Sequence, residues 1–281
     1  MPDASGPISA DAYAAMVDDR AEDGVFRIDR RMYDDAEVYD AEMARIFETT
    51  WIYVAHESQI AKPGDYLWTE IGRQPVVINR LDDGRVAGLI NACSHRGAIL
   101  TATRQGNARV LVCRYHGWAF KSDGQCVRIK EEEVGFPDGV DKSCYNLTAV
   151  PKVESYKGFV FASLNPDAPP LAEHLGDARP FIDMLADQSP EGMEVLPGSA
   201  AYVVDCNWKL QIENGVDGYH VGVVHRNFAL TVRRRNELSG AAGMKLTENA
   251  RFDSGAVETG CYDLGQGHNV IWSDRGAPEA A

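Results

Sequence analysis

The stretch from Trp51 to Leu164 consists of short runs in which apolar and polar residues alternate, or in which β-branched and aromatic residues are concentrated. Both patterns are typical of β-strands. Eight runs fit this description: TWIYVAH, DYLWTEI, QPVVINRL, RVAGLINA, RVLVCRY, GWAFK, CVRIK and KGFVFASL. Turn-forming pairs separate them, including Pro63-Gly64, Asp83-Gly84 and Asp123-Gly124. The pattern predicts an all-β module.

A helical periodicity appears on both sides of this module. Residues 35–49 place Val38, Met43, Ile46 and Phe47 on one stripe and predict an amphipathic helix, while the polar segment 1–24 predicts one short helix. After the PDAPP stretch, the sequence predicts these elements: helices at 171–176 and 180–187, a strand at 199–206, a glycine-containing helix at 207–225, and strands at 252–261 and 268–272. We therefore predict an α+β protein in three parts: a helical segment 1–40, the β module 41–165 and a mixed domain 166–281.

The composition is that of an ordinary globular chain, with 281 residues, 44% hydrophobic and 25% charged. Acidic residues outnumber basic ones 42 to 28, and the resulting net charge of −14 argues against nucleic acid or an anionic membrane as the main partner. No apolar run approaches the ~20 residues that cross a bilayer. The acidic start has no apolar core of the kind found in secretory signals. We expect a cytoplasmic protein.

Two boxes that combine cysteine and histidine carry the first chemistry. Cys93-x-His95 is followed, after seventeen residues, by Cys113-x-x-His116, and a glycine lies close behind each histidine. Two thiolates and two imidazoles suit a two-iron, two-sulfide cluster, with the thiolates on one iron and the imidazoles on the other. A zinc site and coincidence are the alternatives, although structural zinc sites usually pair cysteine with cysteine and histidine with histidine. Each box falls at the tip of a predicted hairpin, which favours the cluster.

Both boxes resemble those of the Rieske iron–sulfur proteins. The high-potential members of that group carry a disulfide between the two loops, and Ala98 and Tyr115 stand at the corresponding positions here. The resemblance therefore implies the low-potential branch, which is found in ferredoxins and oxygenases. We interpret the remaining cysteines, which are Cys126, Cys144, Cys206 and Cys261, as buried thiols and not as metal ligands.

A second constellation lies in the predicted helix at 207–225. At about 100° per residue, Glu213, Asp217 and His220 fall on one stripe, whereas His225 lies about 140° from His220. Gly222 offers a place where the helix could end or bend and bring His225 round. Two histidines and one carboxylate form the facial triad of non-haem iron oxygenases. The alternative is a helix with two incidental histidines.

This segment resembles the catalytic helix in the large (α) subunit of Rieske aromatic-ring-hydroxylating oxygenases. The resemblance implies that His220 and His225 bind a mononuclear non-haem Fe(II), with Glu213 in a supporting role. It also implies that Asp217 links this iron to the Rieske histidine, here His116, of the neighbouring subunit, which requires a ring-shaped trimer. The fold implied for the second domain is α/β and helix-grip-like, an antiparallel sheet with helices.

Stretches outside the metal boxes resemble the benzoate, toluate and anthranilate dioxygenase group. They are EDGVFRI, WIYVAHESQI, GRQPVVI, NACSHRGA, DQSPEGMEVL and NWKLQIENGVDGYHVGVVH. The resemblance implies addition of O2 to an aromatic carboxylate, with benzoate as the leading substrate and a cis-dihydrodiol carboxylate as product. It implies electrons from NADH through a separate reductase, and a small β subunit in an α3β3 hexamer. We assign no residues to the substrate carboxylate, and interpret the Arg233–Arg235 run as a solvated face.

The third ligand of the facial triad, a carboxylate, cannot be identified in this sequence from the residues around it. In the family that ligand comes from a helix far beyond the two histidines, and this chain ends at Ala281. Six acidic residues follow His225 without that context: Glu237, Glu248, Asp253, Glu258, Asp263 and Asp274. We expect a partial α subunit with an incomplete catalytic domain, inactive on its own. The competing hypotheses are a Rieske electron-transfer protein with a vestigial second domain and a Rieske monooxygenase.

Overall fold

The structure, a computed structural model, describes residues 8–239 and 258–274. It divides into two compact units. The first contains the residues up to Leu175 together with Arg179–Tyr202, and the second contains Gly176–Ala178 together with the residues from Val203 onward. No helix among the described residues combines the length and the apolar character that a membrane span requires.

The N-terminal part of the first unit contains a hairpin as well as helices. Its elements are α1 (Ala10–Ala14), β1 (Val17–Arg20), β2 (Val25–Ile28), α2 (Arg31–Asp34) and α3 (Ala36–Glu42), which continues into a π-helical turn (Met43–Phe47). The predicted helical segment 1–40 does contain helices, but it also contains a hairpin that was not predicted, in which β1 and β2 pair antiparallel around Gly24 at φ 65°. The predicted amphipathic helix is present, and Val38 on α3 is completely buried.

Ten antiparallel strands and one short helix form the β module. They are β3 (Ile52–His56), β4 (Asp65–Ile71), β5 (Gln74–Arg80), β6 (Val86–Ile90), β7 (Gln105–Asn107), β8 (Val110–Val112), β9 (Ala119–Lys121), β10 (Cys126–Arg128), α4 (Glu132–Gly135), β11 (Lys152–Tyr156) and β12 (Phe159–Ser163). Three sheets result, with strand orders β6-β5-β4-β7, β10-β9-β8 and β11-β12-β3. Each of the eight predicted runs contains a strand, whereas β7 and β11 were not predicted.

Two apolar clusters fill this module. One joins β4 and β5 to β3 and β12, and includes the fully buried Ile71, Ile78 and Val160. The other surrounds Phe120 on β9 and contains Trp118 together with Cys93 and Cys113. The second cluster therefore lies beneath both cysteine–histidine boxes and gives them a packed base.

The remaining elements are α5 (Leu171–Leu175), α6 (Arg179–Ala186), α7 (Trp208–Val216), α8 (Val221–Val224), α9 (Arg226–Ser239), β13 (Glu258–Asp263) and β14 (Asn269–Asp274). The last two strands pair antiparallel from Glu258↔Asp274 to Asp263↔Asn269, as predicted, although residues 252–257 lie outside the described residues. The strand predicted at 199–206 is wrong: Val203 there is 98% exposed, and the described residues supply no partner strand. The α+β class is confirmed.

Candidate metal sites

The two boxes fold into loops with the same backbone hydrogen bonds. In the first, the N–H of Cys93 donates to the carbonyl of Ala98 at 2.8 Å, and in the second the N–H of Cys113 donates to the carbonyl of Trp118 at 2.8 Å. A glycine N–H, from Gly97 or Gly117, then donates back to the carbonyl of the cysteine. The first loop follows β6 and the second joins β8 to β9.

Each loop needs a glycine at the position where the chain turns back toward the sheet. Gly97 has φ 75° and Gly117 has φ 70°, in the left-handed region that side chains with a Cβ rarely adopt. The conformation turns the chain back so that the residues before each glycine form a cradle.

The cysteines lie inside this cradle and the histidines lie outside it. Cys93 and Cys113 are 3% and 2% exposed. Burial, together with the adjacent Cys113 side chain, raises the pKa of the Cys93 thiol. The rings of His95 and His116 meet with centroids 4.8 Å apart and planes at 71°. Thiols are therefore on the buried side of the site and imidazoles on the solvent side.

Arg96 and Tyr115 border the outer edge. A guanidinium nitrogen of Arg96 lies 3.4 Å from Nε2 of His116, and the guanidinium carbon lies 5.2 Å from the centroid of the Tyr115 ring. Partial burial and then the Arg96 charge lower the pKa of His116. A lowered pKa favours the neutral form of this imidazole, which is the form that binds metals.

This arrangement fits a two-iron cluster better than a single ion. The buried Cys93 thiol, whose pKa is raised, resists ionisation without a nearby cation, and a metal supplies that charge. All six cysteines are free thiols. Cys126 is buried as predicted, but Cys144, Cys206 and Cys261 are exposed, so the prediction of buried thiols is wrong for these three. Among residues 8–239 and 258–274, no three His, Cys, Asp or Glu side chains converge where one ion could sit. A cluster that takes two protein ligands per iron needs no such convergence.

The second site lies at a break between helices. Helix α7 ends at Val216, and Asp217 is its C-cap with extended backbone. The next helix, α8, begins only after His220, and His225 is its C-cap. The prediction of one helix over 207–225 that ends or bends at Gly222 is therefore wrong, because the first helix already ends at Val216 and Gly222 lies within α8.

This turn brings an aspartate and two histidines together. Nδ1 of His220 lies 2.9 Å from Oδ2 of Asp217, and Oδ1 of Asp217 accepts the N–H of Tyr219 at 2.7 Å. The hydrogen bond from His220 holds the pKa of Asp217 below its ordinary value. Nε2 of His220 lies 3.2 Å from Nε2 of His225. Imidazole nitrogens bind first-row divalent metals at about 2.1 Å, so two such ligands at right angles are about 3 Å apart.

The structure does not bring every predicted group to this turn. Glu213 is exposed on α7, and its carbonyl accepts the N–H of Asp217 at 3.0 Å. In the described part of the chain, no carboxylate completes a metal-binding set with the two histidines. Glu237 pairs with Arg234, and Asp263 accepts the N–H of Gly265. Glu248 and Asp253 lie outside the described residues.

Sequence reasoning missed the side chains that brace the first site. Trp118 lies face to face with His95, and the hydroxyl of Ser94 donates to the carbonyl of Tyr145 at 2.6 Å. The aromatic residue directly after His116-Gly117 was a usable signal for Trp118. Ser94 and Tyr145 are 51 residues apart, and nothing in the sequence connects them.

Two loops of buried thiols and outward imidazoles, on an antiparallel β module, define a Rieske-type iron–sulfur domain. Residues 50–154 match the Rieske [2Fe-2S] domain family, and residues 194–274 match the catalytic domain of ring-hydroxylating alpha subunits. The chain therefore contains a Rieske domain and part of a ring-hydroxylating alpha-subunit catalytic domain. These two domain families imply a Rieske cluster and a non-haem iron.

Known relatives agree with this assignment. Toluate 1,2-dioxygenase subunit alpha of Pseudomonas putida is 42% identical over 97% of this chain and 60% of its own length. The 2-halobenzoate 1,2-dioxygenase large subunit of Burkholderia cepacia is 45% identical over 91% of this chain and 55% of its own length. The anthranilate 1,2-dioxygenase large subunit of Acinetobacter baylyi is 42% identical over 93% of this chain and 56% of its own length. This chain thus spans little more than half the length of these relatives.

A solved structure gives the same fold. Naphthalene 1,2-dioxygenase from Rhodococcus sp., bound to indole, superimposes with a TM-score of 0.69 at 35% sequence identity. The match covers 72% of this chain and 46% of that one. The fold class, a Rieske domain followed by part of a catalytic domain of helices and antiparallel sheet, is confirmed.

Proposed function

We propose that this protein is the large subunit of a dioxygenase that acts on aromatic carboxylates, with benzoate as the leading substrate. One observation carries the proposal. A single chain holds both the two-loop site and the paired histidines, and three relatives at 42–45% identity are named for toluate, 2-halobenzoate and anthranilate. The product is a cis-dihydrodiol carboxylate that contains both atoms of O2.

In the two-loop site, Cys93 and Cys113 would hold one iron of the cluster and His95 and His116 the other. The apolar cluster beneath the loops keeps water from the thiolates. The imidazoles face outward, so they form the edge at which a redox partner makes contact.

In the second site, His220 and His225 would hold the mononuclear iron. Asp217 accepts the Nδ1–H of His220, which assigns the tautomer with an unprotonated Nε2 and turns that atom toward His225. We also propose that Asp217 accepts a hydrogen bond from His116 of a second copy, linking the two sites between subunits. Bound cluster and iron supply one-electron transfer and dioxygen activation.

The stoichiometry requires further components. Adding both oxygen atoms of O2 to a ring as a cis-diol consumes two electrons and two protons, so a reductant is needed. We propose NADH, acting through a separate reductase, and a small β subunit in an α3β3 assembly in the cytoplasm. The relatives' names, "subunit alpha" and "large subunit", support a second kind of subunit.

The test is turnover under 18O2. The protein is produced from its native gene with the small subunit and reductase, and supplied with NADH and benzoate, a toluate or anthranilate. We expect consumption of at least one substrate and a cis-diol carrying two 18O atoms. A product with a single 18O atom would support a monooxygenase instead, and reduction of the cluster without any product would support an electron carrier.

A further inference from the structure

The imidazole of His95 and the indole of Trp118 lie face to face across the two loops. Their centroids are 4.8 Å apart and their planes differ by 12°. His95 belongs to the first loop and Trp118 closes the second, so the contact joins the loops without a covalent bond. A parallel ring at this distance restricts rotation of the imidazole.

Trp118 is itself held firmly. It is 7% exposed within the apolar cluster beneath the loops, and its carbonyl accepts the N–H of Cys113 at 2.8 Å. The ring of Tyr145 meets the indole edge-on, with centroids 5.4 Å apart and planes at 85°. The carbonyl of Tyr145 in turn accepts the hydroxyl of Ser94, the residue before His95. Trp118 is therefore also connected to the first loop through Tyr145 and Ser94.

The other imidazole has a different neighbourhood. Its ring neighbour, Tyr115, meets His116 at an interplanar angle of 49° and is 68% exposed. The guanidinium of Arg96 lies at the Nε2 edge of His116. The two imidazoles therefore have unequal surroundings: a buried aromatic ring stacks on His95, whereas the exposed side chains of Arg96 and Tyr115 border His116.

We propose that Trp118 is a positioning residue that fixes the ring plane of His95 and so sets the electronic environment of the cluster at that ligand. The inference rests on the proposed cluster site. The orientation of a ligand imidazole and the access of water both affect the reduction potential of such a cluster. Removing the indole frees the ring and admits water, which stabilises the more negative reduced state and raises the reduction potential.

The experiment compares Trp118→Leu, which keeps apolar volume but has no ring, with Trp118→Phe, which keeps an aromatic face. Trp51→Phe is the matched control, because Trp51 is a buried indole, 4% exposed, in a separate apolar cluster. Each 281-residue chain is loaded with iron and sulfide. The reduction potential and the nitrogen hyperfine couplings of the reduced cluster are then measured by redox titration and pulsed EPR.

In Trp118→Leu we expect a higher potential and a change in one of the two imidazole couplings, while Trp118→Phe and Trp51→Phe retain the wild-type values. A general loss of packing would move both couplings or neither. If Trp118→Leu keeps the wild-type potential and couplings, or if Trp118→Phe changes as much as Trp118→Leu, the role of Trp118 is overturned. The proposed function is not affected by that result. Absence of any histidine-ligated cluster in the wild-type chain would overturn the proposed function together with the role of Trp118.

Discussion

Nδ1 of His220 lies 2.9 Å from Oδ2 of Asp217, three residues earlier in the chain. The contact spans the break between α7 and α8, so a hydrogen bond fixes the imidazole where no helix backbone does. It also assigns the proton to Nδ1, which leaves the Nε2 lone pair available beside His225. In the proposed iron site, Asp217 would therefore orient His220 as a metal ligand.

Replacing Asp217 with asparagine tests this role. Asp217→Asn keeps the shape but removes the carboxylate that favours the Nδ1–H tautomer. We expect metal affinity at the His220–His225 site to fall by about 10- to 100-fold, the usual effect of losing such a partner. The measurement is anaerobic Fe(II) titration in competition with a chelator. Asp263→Asn is the control, because Asp263 also accepts a backbone N–H, at a hairpin turn. Equal affinities for the two variants would contradict the prediction.

His225→Ala separates the two sites. We expect at least tenfold weaker Fe(II) binding at the second site, because a lone imidazole cannot hold the ion, and an unchanged Rieske absorption spectrum. The cluster loops belong to the first unit and His225 to the second. Iron and sulfide analysis of each variant provides the measurement, with His268→Ala as the control in the same unit. Loss of the cluster spectrum in His225→Ala would show that the sites do not load independently.

The predictable features were those with a local signal. The alternating run DYLWTEI gave β4 with the bounds that the structure has, Asp65–Ile71. Mixed cysteine–histidine boxes with nearby glycines indicated the loops of the first site. By contrast, β7 consists of Gln105–Asn107, which carries no apolar residue, and forms because β4 offers it a free edge.

Features that depend on distant neighbours were not predictable. Residues 199–206 have strand-like composition but no partner strand in the described structure. The break at Asp217 occurs because that side chain bonds to Tyr219 and His220, which competes with helix continuation. Gly218 also packs against Ile271, since an added Cβ would lie 3.1 Å from that side chain. Such a contact between the turn after α7 and strand β14 leaves no trace in the local sequence pattern.

The carboxylate of Glu57 gives a pH-dependent test of the β module. The Ser155 hydroxyl and then the Arg80 guanidinium hold the pKa of Glu57 below its ordinary value. A lowered pKa in the folded state means that the ionised group stabilises the fold above the unfolded value of about 4.3, and that this stabilisation is lost as the pH falls through the folded value. Glu57→Gln should therefore be less stable than wild type at pH 7, with the difference shrinking in acid.

Screening limits the size of this effect. The Glu57 side chain is 39% exposed, so we expect less than about 1 kcal/mol at pH 7. The measurement is urea unfolding at a series of pH values, followed by circular dichroism. Glu154→Gln is the control, because Glu154 is exposed on β11 and has no cationic partner among the described residues. A difference that grows as the pH is lowered would contradict the sign of the prediction.

The last prediction concerns the left-handed glycine at which each cysteine–histidine loop turns back. Gly97 has φ 75°, and an added Cβ would meet no atom within 4 Å, so Gly97→Ala isolates the backbone cost of the left-handed conformation. We expect a loss of about 1–2 kcal/mol in the free energy of unfolding. Fewer chains should also hold a cluster, because relaxing φ disturbs the bond from the Gly97 N–H to the Cys93 carbonyl. Gly135→Ala in α4 is the matched control: its added Cβ is equally free of neighbours but the backbone is helical, so stability should stay equal or rise by up to about 1 kcal/mol. Denaturant unfolding and iron-to-protein ratios measure both effects, and a Gly97→Ala chain as stable and as fully loaded as Gly135→Ala would show that the left-handed return is not required.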